Sequence, residues 1–364
     1  MRRAARPGLR LSRLRSLRLG YLRMTPALIG ARNNQRPQLD LLPTLQVIQP
    51  GLTPLDRRAR GTEFLSMPVR SVLNSPLATG MGFWSLNPYV GCEFGCTYCY
   101  ARDTHRYVVE RMGGQADQMD FERRILVKPD VADALARTLD PAKLAGAPLV
   151  IGTATDPYQP AERRFRLTRR VLEVLLGWRG FTLGLITKSP LVTRDIDLLQ
   201  RLSERHDLTV NISLATLDAR LARRLELRSP VPAARLRALA RLTGAGINTG
   251  LMVAPVVPCV TDGRAALDAL FRAAKEADAR YVIGSALRLG PAARRRFLPH
   301  LAREFPELAE RYARHYAGRQ SADRVYREAL SRRLRALRRK YGFAADERRP
   351  TPDATTPDAQ TLLL

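Results

Sequence analysis

From about residue 84 to residue 285, short apolar runs alternate with amphipathic helical patterns, and this alternation limits the fold more than any other feature of the chain. The strand-like runs are Ile125–Val127, Pro148–Thr153, Phe181–Thr187, Leu208–Leu214, Ile247–Pro255 and Arg280–Ser285. Between them lie helical patterns at 130–139, Leu167–Leu176, Asp195–Glu204, Pro232–Thr243 and 264–277, the fourth closed by Gly244 and Gly246. Runs that are apolar at nearly every position suit strands buried on both faces, the environment of a parallel sheet wrapped by helices. Five or six such units with right-handed crossovers predict an α/β fold, a partial (β/α)6 barrel over residues 84–290. Barrels of this kind carry their active sites at the C-terminal ends of the strands, and polar residues do follow each apolar run here.

The flanks differ in texture. The first 39 residues contain ten arginines and no acidic residue, with Leu11, Leu14 and Leu22 near helical spacing. Such a segment can act as a nucleic-acid arm, a membrane-surface helix or a targeting peptide. The simpler expectation is a dispensable, disordered extension over 1–40, with Met24 as another possible start. Residues 41–83 read as an extended lead-in, the stretch 34–56 being rich in Pro, Gln and Asn. Past residue 290 the strands stop, and 291–343 read as basic helices that include Arg294–Arg296 and Arg332, Arg333, Arg335, Arg338, Arg339 and Lys340. Between 288 and 340 there are sixteen basic residues against five acidic ones. The tail over 344–364 is poor in apolar residues and is expected to be disordered. The formal net charge is +27, a field that gathers polyanions and favours nucleic acid as partner; compositional bias of the coding DNA is the plainer source of the same charge. No apolar run reaches the 18 or so residues that span a bilayer, so an integral membrane protein is excluded.

Three of the four cysteines fall within eight residues, in NPYVGCEFGCTYCYAR: Cys92, Cys96 and Cys99, with Cys259 alone. Clustered thiols without a secretory signal indicate a reducing compartment, the cytoplasm, and metal chemistry. Three soft thiolates at C-x3-C-x2-C suit three irons of a [4Fe–4S] cubane, with the fourth iron left open to chelate a small molecule. Gly91 and Gly95 permit the tight loop this needs. A Cys3His zinc site with His105 remains an alternative, and a zinc-stabilised nucleic-acid-binding protein would be its non-enzyme form. Haem attachment fails because Tyr100, not His, follows Cys99.

C-x3-C-x2-C with an aromatic residue before the last cysteine resembles the signature of the radical S-adenosylmethionine (SAM) superfamily. The wider set NPYVGCEFGCTYCYAR, TDPYQPAE, ITKS and VAPVVP resembles its spore photoproduct lyase-related, DNA-repair-photolyase-like branch, over residues 84–285. The resemblance implies that SAM binds the open iron through its amino and carboxylate groups. An electron from the cluster, delivered by a donor such as a flavodoxin or ferredoxin, then splits it to methionine and a 5′-deoxyadenosyl radical.

The same resemblance implies SAM contacts at Thr155, Lys188 and Ser213 and a loop-shaping role for Asp156. It implies packing of Tyr98 on adenine, and a tyrosine pair, Tyr98 and Tyr100, able to relay a hydrogen atom. One departure matters. The branch's hydrogen-donating cysteine aligns with Thr153, whose O–H bond is too strong for that role, so the lyase reaction is in doubt. Cys259, after the strand 247–255, is the remaining thiol and is the third catalytic candidate. The expectation is a radical SAM enzyme acting on nucleic acid; the alternative is modification of a protein or peptide.

Overall fold

A computed structural model describes residues 52–58, 61–144 and 146–343. The segments 1–40 and 344–364 lie outside the described residues, as does the first part of the lead-in. The strands are β1 (Thr53–Arg57), β2 (Glu63–Ser66), β3 (Leu73–Asn74), β4 (Trp84–Leu86), β5 (Tyr89–Val90), β6 (Arg124–Val127), β7 (Leu149–Ile151), β8 (Thr182–Thr187), β9 (Asp207–Ser213), β10 (Thr249–Val256) and β11 (Val282–Ala286). Seven of them form one sheet in the order β11-β10-β9-β8-β7-β4-β3. Every pairing from β4 to β11 is parallel, and β3 runs antiparallel at the edge.

Six parallel strands in sequence order, joined by helices such as Leu167–Leu176, Ile196–Arg205, Pro232–Gly244 and Arg264–Glu276, make the partial (β/α)6 barrel. The physical cause is the apolar content of the strands. Leu183, Leu185, Val210, Ile212, Leu251 and Val253, which alternate along their strands and so share one face of each, are all buried in the main core.

Two elements depart from the sequence reading. Ile125–Val127 is not a barrel strand: β6 pairs with β2 in parallel and with β5 antiparallel, in a separate sheet of order β1-β2-β6-β5. The first barrel strand is Trp84–Leu86 instead, only three residues long. Part of the stretch read as an extended lead-in also packs: Phe64, Leu65, Met67, Val69 and Val72 are buried in the main core.

After β11 come helices Pro291–Glu304, Ala309–His315 and Arg324–Tyr341. The last covers the β11 edge, where Arg338 Nε donates to the Val282 carbonyl at 2.7 Å and Leu330 and Leu334 are buried. An edge strand covered in this way cannot recruit another chain. The helix Pro291–Glu304 docks on Ala101–Arg111: the Asp103 carboxylate accepts from Ala292 N at 2.7 Å, occupying a free amide of the helix start. A second apolar cluster results, in which Phe297, Tyr312 and Tyr316 of these helices join Phe94, Phe121 and the cysteine loop.

Candidate cofactor site

The three clustered cysteines sit on the loop between β5 and the helix Ala101–Arg111. Gly91 has φ +89°, and a Cβ there would lie 2.8 Å from the Phe121 carbonyl, so no side chain fits. That same carbonyl accepts from Cys92 N at 2.8 Å. Cys92 and Cys96 are buried, Cys99 is partly so, and all three are free thiols. Burial, the largest influence on each, pushes all three thiols up from their ordinary range. A desolvated thiol gives up its proton when a cation takes the proton's place, and three such thiols stand on this one short loop. His105 does not join this set: its Nε2 faces the Arg124 carbonyl at 3.3 Å and its ring packs edge-on against Phe121. Among the described residues no three His, Cys, Asp or Glu side chains are gathered as a single metal ion would need, Cys92, Cys96, Cys99 and His105 included.

Two segments grip the loop. After β7, Gln159 accepts from Glu93 N at 2.8 Å and donates to the Gly91 carbonyl at 3.2 Å and to Thr155 Oγ1 at 3.0 Å. Thr155 Oγ1 donates to the same Gly91 carbonyl at 2.6 Å. Asp156 ties this segment to β8, accepting from Thr187 Oγ1 at 2.6 Å and Lys188 N at 2.7 Å; burial raises its pKa. On the other side, the chain after helix Ala219–Leu225 bridges to the loop. Thr97 N and Oγ1 donate to the Leu225 carbonyl, Arg228 N donates to that of Phe94, and Glu226 forms a β-bridge with Cys96. Glu226 is 2% exposed. Its carboxylate accepts from Tyr98 OH, Arg235 and Ser229 Oγ, and Lys188 Nζ lies 3.6 Å away. Burial alone would raise the pKa of Glu226, but Arg235 and Lys188 outweigh it and hold it down to about 2. Beneath the loop, Arg102 donates to the Cys96 carbonyl at 3.0 Å and pairs with buried Glu122 at 2.7 Å.

Sequence comparison decides the family. The Radical SAM superfamily model matches residues 86–269. The uncharacterized protein Rv2578c of Mycobacterium tuberculosis is 35% identical over 297 residues, 81% of this chain and 85% of its own. The chain belongs to the radical SAM superfamily. A second relative, the uncharacterized protein MJ0683 of Methanocaldococcus jannaschii, is 26% identical over 200 residues, 55% of this chain and 70% of its own. Among solved structures, spore photoproduct lyase complexed with dinucleoside spore photoproduct matches with TM-score 0.56 at 16% identity, over 76% of this chain and 79% of that one. A variant of that lyase with bound AdoMet and the same ligand matches with TM-score 0.52, also at 16% identity, over 71% and 74%. At such identity the likeness is one of fold.

Radical SAM enzymes use a [4Fe–4S] cluster and SAM, and these are the cofactors of this chain. The residues expected to serve them fall into three groups. Tyr98, Lys188 and Ser213 converge: Lys188 Nζ donates to Ser213 Oγ at 2.7 Å, and Tyr98 meets Lys188 at Glu226. Thr155 is buried against Gly91, so here it braces the cysteine loop. Tyr100 donates to the Thr153 carbonyl while its side chain is 43% exposed, and Cys259 is exposed with its backbone at φ +60°. The Cys259 loop is tied to the C-terminal helices through Tyr312 OH, which donates to the Pro258 carbonyl at 2.6 Å. The Thr153 hydroxyl is fully engaged, with Ser85 Oγ at 2.7 Å and Asn87 Nδ2 at 3.1 Å.

Sequence reasoning missed Gln159, Glu226 and Arg235 in this radical SAM site. Gln159 stood inside the quoted TDPYQPAE string. Glu226 and Arg235 had no local signal at all.

Proposed function

We propose that Cys92, Cys96 and Cys99 ligate three irons of the [4Fe–4S] cluster and that SAM completes the fourth, with Lys188 and Ser213 toward its polar groups and Tyr98 packed on its adenine. The observation that supports this is the grip of two separate segments on one loop of desolvated thiols, with Lys188, Ser213 and Tyr98 gathered beside it. When bound, the two cofactors supply one-electron cleavage of the sulfonium and hydrogen-atom abstraction from substrate, given an external one-electron donor. The protein's own part is to orient Lys188, to hold the loop and to keep water from the cluster through the second apolar cluster. Anaerobically reconstituted protein is expected to carry about four irons per chain. Replacing any one of the three cysteines by Ala abolishes SAM cleavage, whereas Cys259→Ala leaves iron loading intact. Stoichiometric zinc with no iron overturns this assignment.

The substrate we propose is nucleic acid. Its support is the net charge of +27 together with Arg332, Arg335 and Arg339, all exposed and spaced to share one face of the helix Arg324–Tyr341. The arginine set differs from that expected from sequence. Arg333 donates to the Asp262 carbonyl at 2.7 Å and Arg338 to that of Val282, so both are occupied in holding the helix. Neutralising Arg332, Arg335 and Arg339 should flatten the log–log salt dependence of binding by about 0.7–0.9 per lost phosphate contact, with substrate-free SAM cleavage unchanged.

Thr153 carries a hydroxyl where a thiol donor would be needed, and that hydroxyl is bonded to Ser85 and Asn87. Tyr100 and Cys259 are the exposed groups left for hydrogen transfer. An indifferent salt slope, with turnover of peptide and not of DNA or RNA, would make a peptide the substrate.

A further inference from the structure

We propose that Glu226 is a positioning residue for SAM, its buried carboxylate holding the Lys188 ammonium and the Tyr98 ring toward the cofactor. This rests on the assignment of Lys188 and Tyr98 to SAM made above. One carboxylate oxygen, Oε1, accepts from Tyr98 OH and lies 3.6 Å from Lys188 Nζ. The other, Oε2, accepts from Ser229 Oγ at 2.8 Å and from Arg235. Arg235 is 0% exposed and also donates to the carbonyls of Ser213 at 3.0 Å and Pro230 at 2.8 Å, so the carboxylate cannot turn.

A lysine is a point charge on a flexible four-carbon stem, and a fixed anion beside it selects where that charge sits. The ammonium has three donors. Ser213 Oγ takes one, Glu226 faces a second, and the third is left for an anionic group such as the SAM carboxylate. Through the Cys96 bridge the same residue sets this charge relative to the cysteine loop. Glu226 therefore acts on SAM through Lys188 and Tyr98 and need not touch it.

The test is equilibrium binding of SAM, with iron content measured alongside, in anaerobically reconstituted full-length wild type, Glu226→Gln, Lys188→Ala and the double variant. Glu226→Gln is expected to keep its iron and to bind SAM about tenfold or more weakly. The double variant should lose less affinity than the two single losses summed, because residues acting as a unit are not additive; what Glu226→Gln still costs beyond Lys188→Ala is the part exerted through Tyr98. Unchanged affinity in Glu226→Gln, or fully additive losses, overturns the proposal. If Glu226→Gln loses iron, Glu226→Asp keeps the charge with the carboxylate drawn back from Lys188. It should load iron and still bind SAM more weakly than wild type. Wild-type affinity in that variant, or loss of iron from both, overturns the proposal by making Glu226 unnecessary or merely a support of the loop. Wild type that fails to bind iron or SAM would instead overturn the cofactor assignment.

Discussion

The two segments that grip the cysteine loop do so with opposite chemistry. The one after β7 uses neutral amides and hydroxyls: Gln159 and Thr155 reach the Gly91 carbonyl, and Gln159 takes the Glu93 amide. The one after helix Ala219–Leu225 adds charge to its backbone contacts: Glu226 and Arg235 are buried, and Glu226 lies 3.6 Å from Lys188, which follows β8. Neutral hydrogen bonds to backbone fix a chain path, because each satisfies a group that would otherwise be orphaned. Buried charges contribute little net stability, yet they are costly to break singly and they orient whatever they pair with. The neutral grip accordingly shapes the loop, while the ionic grip aims the side chains expected to meet SAM.

The comparison can be broken first by mutation. Arg235→Met leaves Glu226 buried with only Lys188 as counter-charge, and removing one partner of a buried pair costs about 3–5 kcal/mol. Gln159→Leu removes three hydrogen bonds and leaves the Glu93 amide without its partner, a loss of about 1–3 kcal/mol. Urea unfolding of the two variants should therefore rank them in that order. Equal losses would mean that the ionic grip is no more demanding than the neutral one.

The neutral grip was partly legible in the sequence and the ionic grip was not. Asp156 and Gln159 lie close behind a strong strand signal, in a string that could be recognised as a unit. Strands β7 to β11 were readable within a few residues because each carries apolar residues at successive or alternate positions. The same property misled at β6, since Ile125–Val127 announces burial without saying in which sheet. Trp84–Leu86 was too short to announce anything. Glu226 and Tyr98 are 128 positions apart, and no local periodicity encodes such a meeting. Lys188 and Ser213 were named by resemblance alone; their mutual hydrogen bond and their shared neighbour Glu226 exist only in the folded chain. Arg333 and Arg338 looked like their neighbours in the arginine run, and only the docking of the helix on β11 separates them.

The smallest expected effect sharpens the comparison through pH. Glu226 is held near 2 in the folded chain against an ordinary value of 4.5. A depressed carboxylate contributes stability that is fully present above 4.5 and is lost as pH falls toward 2, because there the unfolded chain takes up the proton first. Lowering the pH from 6.5 to 4 should remove about 1 kcal/mol of that contribution. Gln159 and Thr155 of the neutral grip carry no titrating proton, and the one carboxylate of their segment, Asp156, behaves oppositely to Glu226: burial raises its pKa, so its folded form binds a proton more readily than the unfolded chain and acid does not weaken it. A second acid-sensitive group complicates a simple titration. His206, buried in the main core, is held down to about 4, so protonation of the unfolded chain between 6.5 and 4 also lowers stability. That contribution is common to wild type and Glu226→Gln, and subtracting the two stability–pH curves removes it. The difference curve should be flat above pH 5 and should fall below it, whereas Gln159→Leu should parallel wild type throughout. A flat difference curve down to pH 3 would show that Glu226 is not held as an anion by Arg235 and Lys188, and the contrast between the two grips would collapse to one of position alone.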